Sequence, residues 1–299
     1  MEIARPRHFN MRWYNILDPS GPELDRLAEQ YNLHPLHVED CRHGGQRAKI
    51  EEGQAYLFTV LKPVRVDEEG DFKAVDLDIF LGSDFLITVV ETDCPEVRDL
   101  IDHVRKTFGE ENRPDRLYYR ILDGVVDSYL PILDRLSETI DELEDQALEA
   151  PTPHVLSTIF GTKRTLIFLR GILANTRDLS AKLQRVELPG IGRDLEPFLR
   201  DVYDHVARNL DSVEIMRDLL TGTLDVYLSS VANRTNQVMK VLTVLSTIAL
   251  PALVVSGFYG MNVKGLPGAD SPYGVGISLA VMAVITIVLL WALKRFGWL

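Results

Sequence analysis

A chain of 299 residues with a formal net charge of −12 is long enough for one or two folded domains, and its acidic balance has the wrong sign for a nucleic-acid partner. Its two cysteines, Cys41 and Cys94, lack CxxC spacing, which argues against a thiolate metal centre and fits a reducing compartment. Met1–Arg7 carries no apolar core, so no signal peptide is expected there.

Residues 1–114 read as a mixed α/β domain. Apolar, β-rich stretches at Arg12–Leu17, Ala55–Leu61, Leu77–Leu81 and Phe85–Val90 predict strands, and Asp67–Asp71 and Gly82–Asp84 supply turn signals. The last three strands follow one another closely, as in an antiparallel meander. Pro22–Tyr31 and Glu96–Phe108 have helical spacing. Residues 115–196 read as an acidic helical hairpin. One helix over 115–149 carries Asp134, Glu138, Asp141, Glu142, Glu144, Asp145 and Glu149 on one face, as solvated faces commonly do. Pro151-Thr152-Pro153 ends it, a second helix covers Val155–Val186, and Pro189, Gly190 and Gly192 break the pattern again.

From Leu199 to Val231 apolar residues recur every three or four positions, and the simplest reading is one helix from Phe198 to Tyr259, roughly 90 Å long. Residues 197–240 form its stalk. A seam of that length cannot be buried alone, which predicts a parallel homo-oligomer. Residues 241–263 and 271–293 contain no charged side chain, and each run of 23 residues is long enough to span a bilayer. Two transmembrane helices are therefore expected, over 241–263 and 275–293, with the lipid bilayer as a partner. Arg234 and Lys240 precede the first, Lys294 and Arg295 open the tail 294–299, and the loop 264–274 holds one Lys and one Asp. The positive-inside rule then places both termini in the cytoplasm, as in a multi-pass protein of the cell inner (plasma) membrane.

The first span ends in Tyr259-Gly260-Met261-Asn262. In a symmetric oligomer around a pore, one Asn per subunit makes a ring of neutral oxygens. Such a ring can contact hydrated Mg²⁺ without stripping its waters and releases it readily. This Gly-Met-Asn signature, together with Leu224–Ser230, Asn236–Leu242, the ending Lys294–Leu299, and His34-Pro35-Leu36 with Glu39-Asp40, resembles the CorA family of magnesium transporters over almost the whole chain.

The resemblance implies an α+β membrane protein: a funnel-shaped homopentamer with a cytoplasmic α/β domain and a stalk helix continuing into a pore-lining first span. It implies a pore formed by Tyr259, Gly260, Met261 and Asn262 at the mouth, Leu250, Leu242 and Met239 as apolar constrictions, and Asn236 and Asp225 as deeper polar rings. It further implies that Mg²⁺ is both transported, with Co²⁺ or Ni²⁺ as further cargo, and regulatory. The regulatory ion would sit between subunits on Asp201, with Asp93 of the next subunit as the partner chosen from the acidic stretch Glu91–Glu96. Where the family often carries Met-Pro-Glu-Leu, this chain has Leu266-Pro267-Gly268-Ala269, so the usual glutamate falls on Gly268. That departure leaves room for the zinc-transporting branch of the superfamily. No phosphate-binding loop, HExxH or nucleophile elbow is present, and His103, His154 and His205 read as ordinary surface or packing residues. Neither an enzyme nor an organic cofactor is expected, and a membrane-anchored sensor would need neither the signature nor the long stalk.

Overall fold

Three six-residue strands, each buried from end to end, explain the uninterrupted apolar runs of the first hundred residues: β3 (Tyr56–Leu61), β6 (Leu77–Gly82) and β7 (Phe85–Val90). A strand covered on one face alternates, whereas one covered on both does not. The computed structural model describes residues 11–67, 70–90, 94–107, 113–185, 188–261 and 271–297. It divides into two units, Met1–Gln146 with Thr152–Leu224, and Ala147–Pro151 with Asp225–Leu299.

In the first unit, β1 (Arg12–Ile16) and β2 (Lys49–Glu52) complete a five-stranded sheet of order β1-β7-β6-β3-β2. β3, β6 and β7 pair antiparallel as the meander predicts, and β1 adds parallel to β7. A small antiparallel ribbon, β4 (Val64–Val66) with β5 (Phe72–Ala74), interrupts the meander. On one face Tyr56, Phe58, Val60, Phe80, Ile87 and Val89 pack with Leu24 and Leu27 of α1 (Pro22–Tyr31) and Val38 and Cys41 of α2 (Pro35–His43). Each such side chain contributes about 1.5–3 kcal/mol by burial. α2 starts where Pro35 fixes the first helical φ and the His34 side chain accepts the Leu36 N–H at 3.2 Å. Helix α3 (Pro95–Thr107) follows the sheet and packs on α4 (Pro114–Asp127). α4 covers the opposite face, where buried Tyr118 and Thr59 share a hydrogen bond of 3.0 Å between their hydroxyls.

The single helix expected over 115–149 is two, α4 and α5 (Leu130–Glu149). Pro131 has no N–H to give the Asp127 carbonyl, so it cannot continue α4 and instead stands in the first turn of α5, where no N–H is needed. Tyr129 at the break is fully buried and donates its hydroxyl to the Lys62 carbonyl at 2.8 Å. All seven acidic residues of the α5 face are exposed. α6 (Pro153–Arg185) and α7 (Glu196–Tyr259) follow, the latter 64 residues long. Leu199, Val202, Val206, Leu210, Val213, Met216 and Leu220 form its buried seam within the first unit, and Arg170 of α6 pairs with Glu214. Ahead of α7, Arg113 binds Asp115 and Asp194, both at 2.6 Å, and Asp115 accepts the Gly192 N–H at 3.0 Å. A Cβ on Gly192 would lie 2.6 Å from the Arg113 guanidinium, so a larger residue would have to push the Arg113 side chain out of this clamp.

The second unit holds the remainder of α7 and α8 (Gly274–Arg295). α8 buries none of its described residues and exposes Val275, Ile277, Leu279, Val284, Ile287, Val288 and Trp291 around its circumference. A helix apolar all round and unburied belongs in lipid or against other chains, not in a soluble core. α7 continues through Pro251, which forfeits the hydrogen bond its N–H would have given Thr247.

Candidate pore and ion-sensing sites

Five of the positions expected to line a pore lie on the part of α7 that belongs to the second unit. At 3.6 residues per turn, Asp225, Asn236, Met239, Leu242 and Leu250 fall within an arc of about 120°. All five are exposed, Met239, Leu242 and Leu250 at 55%, 56% and 58%. The buried residues of the span, Pro251 and Val255, project from the other side of the helix. Asn236 and Met239 also line a groove with Asn233, Gln237, Lys240, Phe296 and Gly297.

At the far end, α7 finishes at Tyr259, the Gly260 N–H reaches the Ser256 carbonyl at 2.8 Å, and the Met261 N–H reaches the Phe258 carbonyl at 3.4 Å. Gly260 does not adopt a positive φ, so its requirement is not a left-handed helix cap. The requirement is space: a Cβ there would lie 2.9 Å from the Ser256 carbonyl oxygen, closer than side chains tolerate. Asn262, the loop 264–270 with Gly268, and Trp298 and Leu299 lie outside the described residues, as do Glu91 and Asp93.

Asp201 is exposed on α7 within the first unit, and it is not alone. His205, one turn on, sits with Nε2 3.7 Å from an Asp201 oxygen and Nδ1 3.8 Å from an Asp127 oxygen. Ligand atoms of Asp123, Asp127 and His205 all lie within 4.8 Å of one another. The spacing explains the meeting: Asp123 and Asp127 are four apart on α4, Asp201 and His205 four apart on α7, so each pair projects from one face. Asp123 is half-buried and accepts the Tyr119 hydroxyl at 3.2 Å. Burial first, then the charge of Asp127, raises its pKa above the usual carboxylate range. Burial beside Asp123 pushes the Tyr119 hydroxyl up to about 12. Carboxylates gathered this closely, with an imidazole beside them, offer hard and borderline donors to a divalent ion. The sequence reading named Asp201 but passed over Asp123 and Asp127 and read His205 as an ordinary packing residue. The two i, i+4 pairs were the available signal.

The sequence pattern of the family described as "CorA-like Mg2+ transporter protein" matches residues 10–295. The cobalt/magnesium transport protein CorA of Thermotoga maritima is 34% identical over 295 residues, covering 96% of this chain and 83% of that protein. The zinc transport protein ZntB of Yersinia enterocolitica is 22% identical over 286 residues, covering 95% of this chain and 86% of that protein. The solved structure described as the complete CorA magnesium transporter from Methanocaldococcus jannaschii superposes with a TM-score of 0.83 at 26% identity, over 100% of this chain and 95% of that one.

Proposed function

The chain belongs to the CorA-like Mg²⁺ transporter family, a family of divalent metal transporters, and from that premise we propose that it is a homopentameric channel for Mg²⁺, passing Co²⁺ or Ni²⁺ as well, gated by cytoplasmic Mg²⁺. The observation that carries the reading is α7: one helix bears a membrane span, an exposed row of Asn236, Met239, Leu242 and Leu250, and the Tyr259-Gly260-Met261-Asn262 signature at its end. Copies of α7 around an axis turn that row into rings. Leu242 and Leu250 close a narrow pore by dewetting, and Asn262 presents neutral oxygens to an ion that keeps its waters. Exposed Phe160 and Ile167 on α6, and Ile215 and Leu219 on α7, supply apolar surface for neighbouring subunits. The basic residues flanking the spans orient both termini to the cytoplasm. For a divalent ion the membrane potential supplies ~4.6 kcal/mol per 100 mV, which drives uptake without a nucleotide.

For regulation, the corner formed by Asp123, Asp127, Asp201 and His205 is the intrasubunit half of an Mg²⁺ site, which Asp93 of the next subunit completes. Carboxylates crowded between subunits repel one another, and a divalent ion holds them together. When internal Mg²⁺ falls, the ion leaves and the stalks are free to open the pore.

Zinc transport by the same architecture is the second reading, favoured by Gly268 standing where family members often carry a glutamate. Flux into liposomes of Mg²⁺, Co²⁺ and Zn²⁺, with and without a pH gradient, decides between them. Mg²⁺ uptake driven by the potential alone is expected, and Asn262→Ala, correctly assembled, should lose most of it. Zn²⁺ flux that needs the pH gradient would favour the second reading, and wild-type Mg²⁺ flux in Asn262→Ala would remove that residue from the filter.

A further inference from the structure

We propose that Asp78 holds a proton at the centre of the α/β unit, and that its loss of that proton as pH rises loosens helix α2 from the sheet. Asp78 lies in the middle of β6, paired with Val60 on one side and Val89 on the other. Strand alternation puts it on the face of Phe80, where α1 and α2 pack, and it is 1% exposed. Among the described residues, the Cys41 thiol is the one donor turned towards its carboxylate, and no hydrogen bond of good geometry reaches either oxygen. β7 brings Val89 to this face, and α1 brings Leu24, Leu27 and the part-buried Tyr31, whose hydroxyl donates to Tyr14 at 3.2 Å.

The ionisable groups facing Asp78 are Cys41 and Asp40 of α2, Asp76 just before β6 and Lys62 just after β3. Cys41 and Lys62 favour a charge on Asp78, but neither offsets its burial. Lys62 is committed to Asp76 in a buried ion pair. Asp40 is negative and already bound to Lys49 at 2.8 Å. The Cys41 thiol is fully buried, and burial together with the Asp78 charge holds it far above its ordinary range, so it remains S–H. A carboxylate so placed neutralises rather than stay charged without a partner. In agreement, burial first, then Asp76 and Asp40, push Asp78 up to about 7 against the opposing pull of Cys41 and Lys62.

α2 is the element placed to respond, and what ties it to the sheet is His37, bonded to the Tyr56 hydroxyl at 2.8 Å and to Glu51 at 3.0 Å. The helix has nine residues, of which only His37, Val38 and Cys41 are buried, and it ends at Gly44 and Gly45, both at positive φ. β6, by contrast, is held by ladders on both sides. Opening exposes Asp78 to water, where it is an ordinary acid, so each opening releases one proton. The linkage has a definite sign. Between an ordinary carboxylate pKa of about 4 and the folded value near 7, opening becomes up to tenfold more frequent per pH unit. Above that it levels off, because the closed form is then ionised as well. Through Asp78, acidic conditions seat α2 and neutral to alkaline conditions loosen it; His37 of α2, whose pKa burial lowers, works in the opposite sense below about pH 6.5.

Alkylation of Cys41 in the full-length Cys94→Ser protein reads this opening. The rate is measured from pH 5.5 to 8 and divided by that of the urea-unfolded chain at the same pH, which cancels the thiol's own titration. The ratio should rise about fifteenfold up to pH 7 and level off near thirtyfold by pH 8. In Asp78→Asn, which keeps the shape and removes the charge, that rise should disappear, leaving only the opposite, shallower trend of His37, whose imidazole gains a proton on opening. Equal slopes in the two proteins would overturn the proposal. Should Asp78→Asn fail to assemble, Asp78→Ser serves the same comparison. Hydrogen exchange of the unsubstituted chain is a second readout: the pH-dependent loss of protection should be confined to α2, and a uniform loss across the sheet would equally refute it.

Discussion

Replacing Asp123 by Asn tests the ion-sensing corner through a crossing of two curves. Asp123, Asp127 and His205 place ligand atoms within 4.8 Å of one another, with Asp201 3.7 Å beyond His205. Two unit charges at that separation repel by about 0.9 kcal/mol at the dielectric constant of water and about 3.5 kcal/mol at an effective value of 20. Asp127 and Asp201 are more than half exposed, at 55% and 59%, so the lower part of that range applies, about 1–2 kcal/mol. Without Mg²⁺, Asp123→Asn relieves this repulsion and should stabilise the protein by that amount. With Mg²⁺, the same charge is lost to the ion, and the midpoint of Mg²⁺-dependent stabilisation should move up by about five- to thirtyfold. Thermal unfolding of the full-length protein against Mg²⁺ concentration measures both, with protease protection as an independent readout. The variant should be the more stable at zero Mg²⁺ and the less stable at concentrations that saturate wild type. Superimposable curves, or a variant less stable without Mg²⁺, would refute the assignment.

Leu242→Asn should raise basal flux at saturating internal Mg²⁺, because a polar ring keeps a narrow pore wet, and unchanged flux would count against an apolar gate there. Gly260→Ala should reduce transport while leaving the oligomer intact on size-exclusion chromatography. Its Cβ would lie 2.9 Å from the Ser256 carbonyl and displace the signature that follows. Tyr129→Phe should cost about 1–3 kcal/mol in chemical denaturation of the α/β unit, because the buried Lys62 carbonyl loses its donor. An effect within experimental error would show that water replaces the hydroxyl.

Elements were legible where burial leaves an unambiguous pattern. α1 falls on the predicted Pro22–Tyr31, and β3, β6 and β7 coincide with the apolar runs because both faces of the sheet are covered. α2 escaped notice because only three of its nine residues are buried and no strong apolar stripe remains. β2, with the sequence Lys-Ile-Glu-Glu, and the three-residue strands β4 and β5 are too short for a period to register. Pro131 did carry the signal that separates α4 from α5. It was outweighed by apolar spacing that continues in phase across the break.

The two sites differ in legibility for a physical reason. A bilayer constrains sequence locally, since every residue of a span must be apolar or neutral, and any polar group at its end stands out against that background. The proposed pore positions therefore read off one helix. The proposed ion-sensing corner is assembled from α4 and α7, and each contributes only a pair of polar residues on a helix already rich in charge. An i, i+4 pair of that kind on a solvated face is common and carries little information alone. It gains meaning only when packing of Val202 and Val206 against the first unit brings the two pairs face to face. The same limit hid Asp78: an aspartate inside the apolar run Leu77–Leu81 reads as a strand residue of either face. Only the pairing of β6 between β3 and β7, under α2, makes it a buried acid without a counter-charge.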